Sequence, residues 1–278
     1  MNYAYSTNAY LNYSLSEALP RIASLGYSAV EILADVPHAY PAGLLPQQID
    51  AIKATLAETS LKVANVNAFM LRAISDPRQP YWHPSWIEPC ADYRAIRREH
   101  TLRCLPLAKA IGAPSIQTEP GGPLPEGMSR SAALDRFCRE LAPCLALAES
   151  LEVSLLIEPE PDLLIERFDQ YLELWDKFGS NALGLNFDIG HAYCMSEAPE
   201  EWIPKMAKHT RHYHIEDIAA TRKHAHLIPG EGAIDFPAVL QAIEATNYEG
   251  YVTVELYPFI QDPDNAGKQA LQHLQQCK

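Results

Sequence analysis

Four strand-like runs in this chain close on a side chain able to hold a metal ion or move a proton. They are Val153-Ser-Leu-Leu-Ile-Glu158, Leu185-Asn-Phe-Asp188-Ile-Gly-His191, Arg211-His-Tyr-His214 and Tyr251-Val-Thr-Val-Glu255. Any one of them reads equally well as a solvated strand end. Together they point to a shared site, because a charged group at the end of a buried strand is costly unless it is paired or bound. Glu158, Asp188, His214 and Glu255 offer three carboxylates and one imidazole. That oxygen-rich set suits a divalent ion such as Mn2+, Mg2+ or Co2+, with Zn2+ also compatible. Three negative charges crowded without a cation would raise one another's pKa values and destabilise the fold. A carboxylate acid/base pair assisted by His214, with no metal, is the alternative. His191 follows Asp188 by three residues, so both side chains could face one mouth.

Distant strand ends meet only if a suitable scaffold gathers them. Strand patterns run over 2–6, 28–33, 61–68 and 115–119, and four more end at Glu158, Asp188, His214 and Glu255. Apolar residues at helical spacing fill 14–25, 46–59, 93–111, 129–150, 162–178, 200–208, 236–246 and 264–276. Strict strand–helix alternation implies a parallel sheet. Eight units with no linker predict one (β/α)8 TIM barrel over residues 1–278, with its site at the C-terminal ends of the strands. A doubly wound sheet is the competitor. It gathers ligands at one switch point, whereas these candidates spread over strands five to eight, and no G-x-G-x-x-G follows the first strand. The irregular stretch at about 70–90, with several prolines and Tyr81, Trp82 and Trp86, reads as a lid over the mouth.

Composition narrows the partners. The formal net charge of -13 repels phosphate backbones and argues against nucleic acid. No window approaches the roughly 18 apolar residues of a membrane span, and the first residues lack the pattern of a secretory leader. The six cysteines form no C-x-x-C pair and read as reduced thiols of a cytoplasmic protein. Homo-oligomerisation is left open.

The segments Ile157-Glu158-Pro, Phe187-Asp188-Ile-Gly-His191, His212-Tyr-His214-Ile-Glu-Asp217, Pro229-Gly-Glu-Gly232-Ala-Ile-Asp235-Phe236 and Val254-Glu255 resemble the xylose isomerase-like TIM-barrel superfamily. That group includes sugar isomerases, ketose 3-epimerases, hydroxypyruvate isomerases, inosose dehydratases and apurinic endonucleases, and the resemblance covers nearly the whole chain. It implies one divalent ion, Mn2+ first, held by Glu158, Asp188, His214 and Glu255. Glu158 and Glu255 would double as the acid/base pair, and His191 would hold substrate oxygens. The expected activity is isomerisation or epimerisation of a sugar, cyclitol or keto-sugar by proton transfer through a metal-bound enediolate. A dehydratase or lyase of a keto-polyol on the same site is the alternative. An endonuclease-type phosphodiesterase and a non-catalytic sugar-binding barrel are the remaining classes.

Several further residues carry two readings. Glu160 is a candidate substrate contact, although Pro159 and Pro161 interrupt its strand. Glu31 and Asn67 are candidate substrate contacts, with a salt-bridged rim carboxylate and loop capping as rivals, and Asn8 is similar. Trp82, Trp86 and Tyr257 either line a sugar face or pack the lid. Asp217 is expected to orient a ligand histidine. Gly230 and Gly232 follow strand seven, where barrels often bind phosphate, yet an unphosphorylated polyol suits the acidic chain at least as well. His224, His226 and Glu119 could serve as extra ligands in a nuclease. The expectation is instead a single ion, with His226 facing the substrate.

Overall fold

Strands covered on both faces read as nearly continuous apolar runs, and the eight strands here are buried almost throughout. The computed structural model describes residues 1–70, 72 and 80–277. The strands are β1 (Asn2–Ser6), β2 (Ala29–Leu33), β3 (Lys62–Asn67), β4 (Ser115–Thr118), β5 (Ser154–Ile157), β6 (Leu183–Asp188), β7 (Thr210–Ile215) and β8 (Tyr251–Val254). They pair in parallel in chain order, and β8 closes on β1. The result is a single (β/α)8 barrel. The helices between strands are α1 (Leu15–Ser24), α2 (Pro46–Thr59), α3 (Ala91–Ile111), α4 (Arg130–Leu151), α5 (Phe168–Phe178), α6 (Ile189–Cys194), α7 (Pro199–Met206), α8 (Phe236–Ala245) and α9 (Pro263–Gln276).

The alternation of side chains along each strand divides the molecule into two environments. Outward residues such as Tyr5, Val30, Phe187 and Tyr213 join the helices in one large apolar cluster. Inward residues begin with a small layer of Ala4, Ala29 and Ala64. Beyond it the interior turns polar, with Ser6, Glu31, Asn65, Gln117, His212 and His214 all buried.

Two breaks in pairing register aim that polar layer. Between β2 and β3 the register shifts after Val30, which brings Asn65 opposite Glu31. Between β6 and β7 it shifts after Leu185, which brings Asp188 opposite His214. Such irregularities re-aim side chains and recur beside functional sites.

Three elements differ from the sequence pattern. The helix expected from 162 begins only at Phe168, because Asp162 adopts a left-handed φ of 69°. Gln170 then caps the helix start, its side chain accepting from Arg167 N at 3.3 Å. The turn after β6 is not a loop but α6, and Asp188 caps it by accepting from His191 N at 2.7 Å. The lid expected at about 70–90 falls partly on residues 71 and 73–79, which lie outside the described residues. Of its aromatics, Trp86 is core: it packs on Phe137 and donates to Thr118 Oγ1 at 3.1 Å. Among the described residues no helix is long and apolar enough to cross a membrane, and all six cysteines are free.

Candidate metal centre and its cavity

The four candidate ligands meet at the C-terminal end of the barrel. Ligand atoms of Glu158, Asp188, His214 and Glu255 all lie within 4.8 Å of one another. His214 is at the centre: its Nδ1 stands 2.8 Å from Glu158 Oε1, 3.6 Å from Glu255 Oε1 and 3.9 Å from Asp188 Oδ2. Glu158 Oε1, Asp188 Oδ2 and His214 Nδ1 are buried and none makes a hydrogen bond of acceptable geometry, although the first and last stand 2.8 Å apart. Buried polar atoms left this way call for an explanation, and a shared cation supplies one. The oxygen-rich donor set fits a divalent ion.

Amide donors fix the carboxylates from behind. Gln117 Nε2 donates to Glu158 Oε2 at 3.0 Å. Asn8 Nδ2 donates to Glu255 Oε1 at 2.8 Å, and Asn67 Nδ2 reaches the same oxygen at 3.4 Å. One Asp188 oxygen caps α6 while the other faces the cluster. Burial opposes charge on Asp188, but His214 and the hydrogen bond from His191 N favour the charged form and lower its pKa. Burial pushes Glu255 well above the usual carboxylate range; His214 opposes this, while Glu158, Glu31 and Asp188 add to it. Burial disfavours charge on His214 as well, yet Glu31, Glu158 and Glu255 raise its pKa well above that of a free imidazole.

A second group of side chains forms the cavity wall. The cavity, about 520 Å³ of empty space counting its mouth, exposes Glu158, Glu160, Glu255, His191, His224 and His226 against the rings of Phe69, Tyr81 and Tyr257. His191 Nδ1 meets the Pro159 carbonyl at 3.0 Å, and His226 Nδ1 meets the Glu255 carbonyl at 3.0 Å. A carbonyl can only accept, so both Nδ1 atoms carry protons, and both rings turn their Nε2 atoms to the cavity. These stand 3.0 and 3.2 Å from His224 Nε2. Burial lowers the pKa of His224 to about 3 and of His226 to about 4, so both rings are neutral. Glu160 is only 4% exposed. Burial pushes its pKa up, and the Glu158 charge adds to the shift.

The placements sort the remaining candidates. His191, His226, Glu160 and Asn67 all line the cavity, and so do Asn8 and Tyr257. Glu31, expected at the substrate, does not line it. It is 0% exposed and lies beneath His214, with Oε2 at 2.7 Å from His214 Nε2. Asp217 orients no histidine: it accepts from the backbone amides of Ile218, Gly230, Gly232 and Ile234. Gly230 and Gly232 therefore have their amides turned onto a carboxylate of their own chain. Glu119 accepts from Trp86 N at 3.0 Å and Gly121 N at 2.5 Å and is not part of the four-residue cluster.

Sequence reasoning missed Asn65, Gln117 and Glu216. A polar residue inside a strand buried on both faces must find a partner, and Asn65 and Gln117 carry that signal in the sequence. Glu216 is fully buried beside Asp188, and burial together with Asp188 and Glu255 raises its pKa well above the usual range. Its carboxyl abuts Gly190, where an added Cβ would lie 1.6 Å from Glu216 Oε1. Gly190→Ala should therefore lower unfolding free energy by about 3 kcal/mol. Urea denaturation measures this. Stability within about 0.5 kcal/mol of wild type would show that the contact relaxes freely.

Comparison with known proteins gives a consistent picture. A family model described as xylose isomerase-like TIM barrel matches residues 19–277. The inosose dehydratase of Clostridium perfringens is 28% identical over 126 residues, covering 40% of this chain and 42% of that protein. The fructoselysine 3-epimerase of Escherichia coli O157:H7 is 29% identical over 142 residues, covering 49% and 51%. The chain thus spans about half the length of the curated relatives it matches. A crystal structure of the IOLI protein with a bound zinc atom superposes with a TM-score of 0.80 at 18% identity, over 100% of this chain and 98% of that one.

Proposed function

Because the chain belongs to the xylose isomerase-like TIM-barrel family, we propose that it is a divalent-metal-dependent isomerase or epimerase of a sugar, cyclitol or keto-sugar. The observation that carries this reading is the convergence of Glu158, Asp188, His214 and Glu255, with three orphaned polar atoms facing one another. Those four residues would hold the ion. Bound there, it would polarise a substrate carbonyl and acidify the neighbouring C–H. The zinc in the IOLI structure supports a divalent metal and keeps Zn2+ beside Mn2+ as a candidate.

The protein's own groups perform the rest. One of Glu158 and Glu255 removes the acidified proton and the other returns one, inverting the carbon or moving the carbonyl. Gln117, Asn8 and Asn67 keep the two carboxylates from swinging. His191 and His226 turn their Nε2 edges to the cavity, where substrate hydroxyls would replace their contacts with His224. Phe69, Tyr81 and Tyr257 cover the apolar face of the ring and exclude water. The loop after β7, a common phosphate anchor in barrels, has its amides filled by Asp217. This supports an unphosphorylated substrate.

The named relatives favour a second reading. The inosose dehydratases support elimination of a hydroxide from a keto-polyol on the same residues. Against phosphodiester hydrolysis stands Glu119, whose carboxylate is committed to backbone amides, together with the net charge of -13. The deciding experiment uses deuterated water with a panel of ketoses and cyclitol ketones. Epimerisation or isomerisation by proton exchange places label on the carbon next to the carbonyl of an intact polyol. Product of unchanged formula without solvent label would mean a hydride shift, and product short by one water would mean dehydration.

A further inference from the structure

The ligand candidates all sit on β5–β8 or directly after them, yet the polar layer behind them comes from β1–β4. Glu31 on β2 is the centre of that layer. Its Oε2 accepts from His214 Nε2 at 2.7 Å and from Asn65 Nδ2 at 2.9 Å. Its Oε1 accepts from Ser6 Oγ at 2.8 Å and from Asn67 Nδ2 at 3.5 Å. Ser115 Oγ donates to Asn65 Oδ1 at 2.7 Å, which fixes that amide with its nitrogen toward Glu31. The same Asn65 nitrogen donates to Gln117, and Gln117 donates to Glu158. One chain of buried hydrogen bonds therefore aims both His214 and Glu158.

We propose that Glu31 is a positioning residue for the metal site: it fixes the His214 ring so that Nδ1 faces the other three ligands, and it thereby sets metal affinity. The carboxylate holds a proton on Nε2, which leaves Nδ1 as the donor atom and makes the ring more basic toward a cation. Carboxylates behind ligand histidines act this way in general, and losing one weakens metal binding about 10–100-fold. Glu31 suits that role because four side-chain donors hold it and no solvent reaches it. His212 Nε2 stands 3.6 Å from the same oxygen without a hydrogen-bond partner. The inference rests on the metal reading given above for Glu158, Asp188, His214 and Glu255.

The test compares wild type, Glu31→Gln and Ser6→Ala by chelator competition with Mn2+, Zn2+ and Co2+ at fixed pH. Circular dichroism and metal-free melting curves establish that each variant is folded. Glu31→Gln should weaken binding about 10–100-fold and shift the visible spectrum of the Co2+ form. Ser6→Ala loosens Glu31 without touching the ligands and should give a smaller loss in the same direction. It carries the test if Glu31→Gln does not fold. Tyr27→Phe removes a buried hydrogen bond to the Gly267 carbonyl, outside the site, and should leave metal affinity unchanged. Wild-type affinity in the folded variants would overturn the positioning role while leaving the metal reading intact. Absence of metal binding in wild type would overturn both. Two ions in wild type, one of them lost in Glu31→Gln, would make Glu31 a ligand and overturn the role as stated.

Discussion

Glu158→Gln and Glu255→Gln should each lower kcat/KM by at least about a thousandfold on whatever ketose or cyclitol ketone the protein accepts. The amide keeps the volume and one acceptor oxygen, so the side chain still fits beneath Gln117 or beside Asn8. It cannot take up a proton. Each residue also stands in the four-ligand cluster, so two losses overlap, and metal content must be measured alongside rate. Solvent exchange separates them. A two-faced proton transfer predicts that one variant, reloaded with metal, still washes label into the substrate carbon without completing the reaction, because one face remains active. If both variants, folded and metal-loaded, turn over within tenfold of wild type, the carboxylates are ligands only, and the acid/base pair must be sought elsewhere. Glu160 would be the next residue to examine, since it lines the same cavity.

The convergence of Glu158, Asp188, His214 and Glu255 was legible in the sequence for a physical reason. β5, β6 and β8 are largely apolar runs that close on a carboxylate, and such an ending has few explanations. The barrel was legible because helix and strand periods alternate without a break. The other half of the site was not. Glu31, Asn65 and Gln117 lie within β2, β3 and β4, and their partners depend on which residue faces which across the barrel. That pairing is set by register shifts at Val30/Glu31 and Leu185/Asn186, and side-chain types alone do not reveal a shift. Asp217 misled in a related way. It follows His214 closely in the chain, but its pairing with Leu227 turns it onto the Gly230 and Gly232 amides instead. The short helix α6 was hidden because Asp-x-x-His also reads as a strand end entering a loop. The hydrogen bond from His191 N to Asp188 Oδ1 starts the helix, and backbone bonds such as Met195 N to the His191 carbonyl continue it.

Stripping divalent ions with a chelator should abolish turnover, and adding back Mn2+ or Co2+ should restore it. The same treatment should lower thermal stability, by a route independent of activity. Without a cation, Glu158, Asp188 and Glu255 crowd around one imidazole in a buried site. An ion present at a thousand times its dissociation constant stabilises the folded state by about 4 kcal/mol, so melting temperature should rise on titration and level off. Elemental analysis should then give about one metal per chain, and anomalous scattering one main peak between Glu158, Asp188, His214 and Glu255. The triad His191, His224 and His226 also gathers three nitrogens within 4.8 Å, and it makes the count informative. The expected outcome is a triad free of metal, its ring nitrogens left to one another and to substrate hydroxyls. Full activity in a protein shown to be metal-free would sink the proposed chemistry. A second strong peak at the triad would instead reopen phosphodiester hydrolysis, because two adjacent cations could clamp the attacking and leaving oxygens of a phosphate.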